Sequence, residues 1–295
     1  PKHVEKLLEI KLGEEGVAVK DLRVSLEKLL LESPKSSSKL FFNQLFGGRH
    51  SKAVLGDLLA VMLNNSMATY KIAGPQVSIE REVLFQIYNL IGYGSNAGGT
   101  FPTGGSMSNF MSLVMVRDKI DSKIKDKGVF NKLVAYTSEN AHYSISKNAS
   151  LSGIGRENVR YIKSDQYGRI CKDDLENQIN NDISNGFLPF YLNATAGTTV
   201  LCAFDNIEEL VPVCRKHDIW MHLDGAFGGA VIFSEKYKHL VKGINFTDSF
   251  CFNAHKTLGA PISTSLLVVK DKNDLHNSFN NSASYLYQTH DSDFN

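Results

Sequence analysis

An aspartate and a lysine stand at the ends of two apolar runs in this chain. The first run, Trp220-Met221-His222-Leu223, ends in Asp224-Gly225-Ala226. The second, Ser249-Phe250-Cys251-Phe252, leads through Asn253-Ala254-His255 to Lys256. Short apolar runs of this kind read as buried strands, each giving way to a loop at its charged residue. A parallel sheet collects its ligands at the carboxyl ends of its strands, so Asp224 and Lys256 are expected to face one crevice. An amine placed there can hold a carbonyl cofactor as an imine, and a carboxylate can keep that cofactor's ring nitrogen protonated. Taken singly, each residue has a plainer role. A loop lysine is ordinarily solvated, and a buried carboxylate is ordinarily paired with Lys or Arg.

Three further segments fall at corresponding places. The run Gly98-Gly99-Thr100-Phe101-Pro102-Thr103-Gly104-Gly105-Ser106-Met107-Ser108-Asn109 leads into a helix. Its glycines permit close backbone approach, and unpaired amides at a helix start suit a phosphate. It lacks the G-K-[ST] of a P-loop and the strand-G-x-G-x-x-G-helix unit of a dinucleotide site. His142 follows the apolar run Leu133–Thr137, where a flat imidazole can stack on an aromatic ring. Asn193-Ala194-Thr195-Ala196-Gly197-Thr198-Thr199 follows another run, and the Thr195 hydroxyl can bond a phenolate or carboxylate oxygen. Alone, these segments read as a Ser-capped helix start, a hydrogen-bonded structural histidine and a Thr/Gly turn. Together with Asn253 and His255, both able to bond a phosphate, they describe a site for pyridoxal 5'-phosphate.

The elements that must position these residues are legible in outline. Strands are expected at Leu133–Thr137, Phe190–Ala194, Ile219–Leu223, Ser249–Phe252 and Ser265–Val269. Helices are expected at Ser106–Ile120, Asp173–Ser184 and Ile207–His217, with Asp173 and Asp205 as acidic caps near the last two starts. This alternation implies an α/β domain with a mostly parallel sheet and helices on both faces. It spans 98–295. Residues 1–97 form a helical N-terminal segment, with apolar residues at helical spacing over 1–31, 53–68 and 79–91 and a linker at 32–38. The stretch 271–295 reads as irregular.

Composition narrows the function classes. The 295 residues are 42% hydrophobic and 21% charged, with a formal net charge of +1. That is the balance of a globular protein with no call for nucleic acid or an anionic membrane. No run approaches the length of a membrane span and no signal peptide opens the chain, so a cytoplasmic location is expected. Cys171, Cys202, Cys214 and Cys251 show neither C-x-x-C pairing nor zinc spacing. They read as buried free thiols, with no metal.

The chain also resembles the group II pyridoxal-phosphate-dependent amino-acid decarboxylases, in the glutamate, cysteine sulfinate and aspartate branch. The resemblance is carried by Phe42-Asn43-Gln44-Leu45-Phe46, Thr69-Tyr70, Thr100–Asn109, His142-Tyr143-Ser144, Asn193–Thr199, His222–Gly229, Asn253–Lys256 and Ala283-Ser284-Tyr285-Leu286. It implies the aminotransferase-like type I fold and a homodimer with its active site at the subunit interface. It also implies α-decarboxylation of a small acidic amino acid through a quinonoid intermediate. Carried over by residue, Lys256 is the Schiff-base lysine, Asp224 the partner of the ring nitrogen, and His142 the stacking ring. Ala226 lies beneath the ring and Thr195 near the cofactor's oxygen. Gly105, Ser106, Met107, Asn253 and His255 bind the cofactor at its phosphate end. Gln44, Phe46 and Ser66 line the substrate side chain, and Phe46 with Ser66 is more like the cysteine sulfinate and aspartate enzymes than the glutamate enzymes. The sequence departs from the family at Ala254, where a proline is usual, and at Ala68, where an aromatic is usual. The small C-terminal domain, its carboxylate-binding arginine and the mobile-loop tyrosine are expected beyond Asn295. Three alternatives stay open: a 2,4-diaminobutyrate decarboxylase, another type I enzyme such as an aminotransferase or aldolase-like lyase, and an inactive cofactor-binding or dimerisation protein.

Overall fold

The computed structural model describes residues 13–36, 38–43, 45–67 and 70–280. The chain divides into two compact units, Pro1–Asn43 and Gln44–Asn295. The first holds α1 (Val19–Glu32), a helix with no buried residue, whose face carries the Arg23–Glu27 pair at 3.0 Å.

The second unit opens with α2 (Ser51–Leu63), α3 (Tyr70–Ala73) and α4 (Pro75–Leu90), followed by β1 (Gly98–Thr100). Then come α5 (Gly105–Ile120), α6 (Ile124–Lys127), β2 (Leu133–Ser138), α7 (Ser144–Leu151), β3 (Val159–Ile162), α8 (Lys172–Ser184), β4 (Leu188–Thr195), α9 (Ile207–Lys216) and β5 (Trp220–Gly225). The run ends with β6 (Ser249–Asn253), α10 (Ala254–Thr257), β7 (Ser265–Val269) and α11 (Lys272–Phe279). The seven strands among the described residues form one sheet in the order β1-β7-β6-β5-β4-β2-β3. β7 runs antiparallel to both neighbours, and the pairings from β6 to β3 are parallel.

Period-two alternation sends each strand's side chains to two cores. On one face Tyr136, Leu192, Ala194, Met221, Leu223, Phe250 and Phe252 pack with Leu84 of α4, Leu175 of α8 and Leu210 of α9. On the other, Tyr191, Trp220, Cys251, Leu267 and Val269 pack with Leu113 and Met115 of α5 and Ile145 of α7. Phe190 breaks the alternation. The β2–β4 register skips it, a one-residue bulge that sends Phe190 and Tyr191 to the same core.

The five expected strands and three expected α/β helices form within a few residues of their predicted bounds. Five expectations need correction. The short strands β1 and β3 were not foreseen, because Gly-Gly-Thr and Val-Arg-Tyr-Ile carry too little apolar signal. Part of the stretch expected to be irregular is α11, capped by Asp271, whose carboxylate accepts from the Asn273 amide at 2.9 Å. Asp173 lies in the first turn of α8 and caps nothing by its side chain. Asp205 is not a cap either. Its buried carboxylate accepts the amides of Ile170 at 2.6 Å and Thr195 at 2.7 Å, tying the end of β4 to the loop before α8. The thiols were expected to be buried, but only Cys214 and Cys251 are, since Cys171 is half-buried and Cys202 is exposed. Ala68, Thr69 and the segment 283–286 lie outside the described residues.

α2 is unlike the other long helices of its unit. Leu55, Leu58, Leu59, Val61 and Met62 are each more than half exposed, and none of its residues is buried. No helix among the described residues is long and apolar enough to cross a membrane.

Candidate active site

The carboxyl ends of β2, β4, β5 and β6 and the start of α5 surround a cavity of about 360 Å³. Strand register sets the neighbours: Thr195 pairs with Asp224, and Asp224 with Cys251. Asp224 and Lys256, expected to share a crevice, both line this cavity. So do Gly105, Ser106, Met107, His142, Thr195, Ala226, Asn253 and His255.

The floor is closely fitted. A Cβ on Gly105 would lie 2.9 Å from the Ala226 Cβ, so only glycine lets α5 start this near the end of β5. Gly228 presses on the loop after β4, where a Cβ would meet the Ala196 carbonyl oxygen at 2.6 Å. α5 follows Gly104 without a side-chain cap, which leaves the Gly105 and Ser106 amides to a ligand, while the Met107 amide donates to the Gly104 carbonyl at 3.0 Å.

Asp224 is nearly fully buried. Its Oδ1 accepts from the Ala226 amide at 3.0 Å, and its Oδ2 accepts from Asn109 Nδ2 at 2.7 Å. Half-buried His142 accepts at Nδ1 from the Ser144 amide at 3.2 Å, and its ring lies 4.2 Å from that of Tyr143. Burial lowers the His142 pKa. Asp224 opposes that shift and Lys256 reinforces it, as expected when an anion and a cation share the pocket. His255 donates from Nδ1 to the Thr264 carbonyl at 3.0 Å, and burial lowers its pKa also. Asn253 Oδ1 accepts from Ser265 at 2.6 Å.

Lys256 sits on α10, a single turn after β6, and its carbonyl accepts the Gly47 amide at 2.6 Å. A Cβ on Gly47 would lie 3.0 Å from that same oxygen, so the chain passing through Phe46 and Gly47 lies directly on the lysine's backbone. Phe46 and Ser66 are exposed and do not line the cavity; Gln44 lies outside the described residues.

Two observations fit pyridoxal phosphate. The Thr195 hydroxyl is buried at the cavity wall with no protein partner, an acceptor or donor awaiting a ligand oxygen. The cavity also brings together a primary amine, a carboxylate and a helix start, the three groups needed for an aldehyde, a ring nitrogen and a phosphate.

Sequence reasoning missed the layer beneath Asp224. Asn109, His222 and Ser249 are buried and joined by hydrogen bonds. For the strand residues the signal was present as hydrogen-bonding groups at period two within buried strands: His222 and Asp224 on β5, and Ser249 and Asn253 on β6.

Comparison with known proteins agrees with this geometry. Human cysteine sulfinic acid decarboxylase is 38% identical over 291 residues, covering 98% of this chain and 59% of that protein. The acidic amino acid decarboxylase GADL1 of Xenopus tropicalis is 35% identical over 291 residues, covering 98% and 57%. The crystal structure of mouse CSAD superposes with a TM-score of 0.92 at 36% identity, covering 97% of this chain and 61% of that one. The chain thus spans about three fifths of the length of the curated relatives it matches. The mixed sheet with its flanking helices is the aminotransferase-like type I fold. With a match that runs over residues 1–295, the chain belongs to the family described as the pyridoxal-dependent decarboxylase conserved domain.

Proposed function

We propose that this chain is the cofactor-binding part of a carboxy-lyase that removes the α-carboxylate of a small acidic amino acid, with cysteine sulfinate, aspartate or glutamate as candidate substrates. The observation that carries this reading is the convergence of Lys256, Asp224, His142 and Thr195 on one cavity beside an uncapped helix start. Bound there, pyridoxal phosphate supplies an electron sink for the pair left when a carboxylate departs as carbon dioxide.

The chain's own residues divide the remaining work. The Lys256 amine is the attachment point for the aldehyde. Asp224, held by two N–H donors, faces the ring nitrogen and keeps a proton there. His142, kept neutral by burial and fixed at Nδ1 by Ser144, presents a flat ring as the stacking partner. Thr195 turns its unpartnered hydroxyl to the cofactor's ring oxygen. The Gly105 and Ser106 amides, with Asn253 and His255, would hold the phosphate, Met107 would line that end of the cavity, and Ala226 would pack against the ring. Phe46 sits one residue before the Gly47 contact to Lys256, which supports its expected role on the substrate side with Gln44 and Ser66.

The names of the relatives support an acidic substrate. A 28% identical structure titled as the glutamate decarboxylase domain of a diaminobutyrate-pyruvate transaminase and L-2,4-diaminobutyrate decarboxylase keeps that amine as a second reading. The exposed apolar α2 supports a homodimer, since a second copy would cover it. The test uses the full-length protein with aspartate, cysteine sulfinate, glutamate and 2,4-diaminobutyrate, scoring carbon dioxide release against keto-acid formation. Carbon dioxide from an acidic substrate is expected, and keto acid without it would overturn the reading. In Lys256→Ala the absorbance band of the lysine-linked cofactor is expected to vanish. A band that survives would remove Lys256 from its role.

A further inference from the structure

Beneath Asp224 runs a line of buried polar groups whose directions are fixed from its carboxylate end. Trp220 Nε1 has only a proton to give, and it lies 2.9 Å from Ser249 Oγ. Ser249 therefore accepts from the indole, and the same Oγ lies 2.8 Å from His222 Nδ1. At the other end, Asn109 Nδ2 donates to Asp224 Oδ2 at 2.7 Å and to Ser144 Oγ at 3.0 Å. Asn109 must then offer Oδ1, 3.0 Å from His222 Nε2, as an acceptor. The imidazole is left one tautomer, protonated at Nε2 and bare at Nδ1. Ser249 then gives its proton to the bare Nδ1, so each link from the indole onward donates toward the carboxylate. The Cys251 thiol stands beside the line, 3.6 Å from Asn109 Oδ1 and 3.7 Å from Asp224 Oδ1.

We infer that Trp220, Ser249, His222 and Asn109 are positioning residues that act as a one-way donor chain, fixing Asp224 in the orientation and charge state the cofactor's ring nitrogen needs. The inference rests on the pyridoxal phosphate reading above and extends it to residues that touch no ligand. Sheet register builds the chain. His222 pairs with Ser249 and Asp224 with Cys251, so the polar residues of β5 and β6 share one face. Asn109, nearly fully buried on α5, bridges the two turns of that ladder. Tyr191 lies parallel to the imidazole at 6.2 Å and closes its other side. A chain whose dipoles all align strengthens its last bond, and in a dry interior each link is costly to leave unmade.

The test has two arms, both on the full-length protein. In the first, 15N-histidine labelling reads the His222 ring without cofactor, its signal assigned by loss in His222→Gln. A neutral ring protonated at Nε2 is expected, and a ring protonated at Nδ1 or at both nitrogens would overturn the chain. In the second, cofactor affinity and the position of the bound cofactor's absorbance band are measured in Asn109→Leu and Ser249→Ala. Asn109→Leu removes the link to Asp224 and is expected to weaken binding on the order of tenfold or more and to shift the band. Ser249→Ala, a small change that spares the fold, is expected to do the same to a lesser degree. Leu192→Ala on the opposite face serves as the control for general destabilisation. Variants that keep wild-type affinity and spectrum, or that change no more than this control, would overturn the inference. Failure of the wild-type protein to bind pyridoxal phosphate would instead overturn the underlying reading, and the first arm would still decide the direction of the chain.

Discussion

The two faces of the central sheet are built from the same strands and obey different rules. On the α8–α9 face, Leu192, Ala194, Met221, Leu223, Phe250 and Phe252 are apolar from one end of the strands to the other. On the α5–α7 face the rows begin apolar and turn polar toward the carboxyl ends. Trp220 gives way to His222 and Asp224 on β5, and Tyr191 to Asn193 and Thr195 on β4. The first face is stabilised by area removed from water. The second gives up part of that area for hydrogen bonds, which leave one carboxylate and one hydroxyl aimed at a ligand. Stability and chemistry are therefore assigned to opposite sides of a single layer, one strand position apart.

That separation can be broken from either side. The largest effect is expected on the apolar face. Leu192→Ala leaves a cavity in a fully buried position and should cost about 2–5 kcal/mol in denaturant unfolding, while the cofactor band per folded molecule stays unchanged. Loss of the band at equal folded concentration would mean the two faces are coupled.

A somewhat smaller effect is expected from pH on the polar face. An imidazole ordinarily titrates near 6.5, and burial brings His222 down to about 4, against an opposing pull from Asp224. Asn109, Ser249 and Tyr191 complete its surroundings, and burial raises the Tyr191 hydroxyl well above its ordinary range, so it stays neutral. Between pH 6.5 and 4 the unfolded chain takes up a proton that folded His222 refuses. Stability from this group is thus present above pH 6.5 and is lost as pH falls toward 4, by roughly 3 kcal/mol over the window. Unfolding free energies of wild type and His222→Gln, compared at pH 7 and pH 4.5, should converge at the lower pH. A constant difference would sink the neutral-histidine assignment.

The smallest effect on stability is expected at the rim of the same face. Thr195→Val keeps the shape and removes a buried hydroxyl that has no partner, so unfolding should change by no more than about 1 kcal/mol. Cofactor affinity, read by spectroscopic titration, should fall roughly tenfold. Equal affinity would show that the hydroxyl serves nothing.

How much of this was legible in the sequence follows from the same contrast. Asp224, Lys256, His142 and Thr195 stood out because each ends an apolar run, where a strand must become a loop. His222 did not, because a single polar residue inside an apolar run leaves the strand signal intact, and Asn109 and Ser249 did not, because a polar residue in a helix's polar first turns or at a strand's start is unremarkable. β3 escaped because Arg160 and Tyr161 interrupt its four residues, and α11 because polar residues dominate its sequence. The contact of Gly47 with the Lys256 carbonyl had no local signal at all.

By itself, then, the sequence determined which segments become strands, where each strand ends and which reactive groups stand at those ends. These are decided by residues close in the chain, through side-chain alternation and the glycines of the turns. Only the tertiary structure decided which ends meet. The order β7-β6-β5-β4-β2 sets Asp224 between Thr195 and Cys251, and the docking of α5 brings Asn109 to a carboxylate 115 positions away. Such pairings depend on strand order and helix packing, which arise from burying both faces of the sheet at once. No stretch of local sequence carries that information, and the direction of the hydrogen bonds beneath Asp224 depends on it entirely.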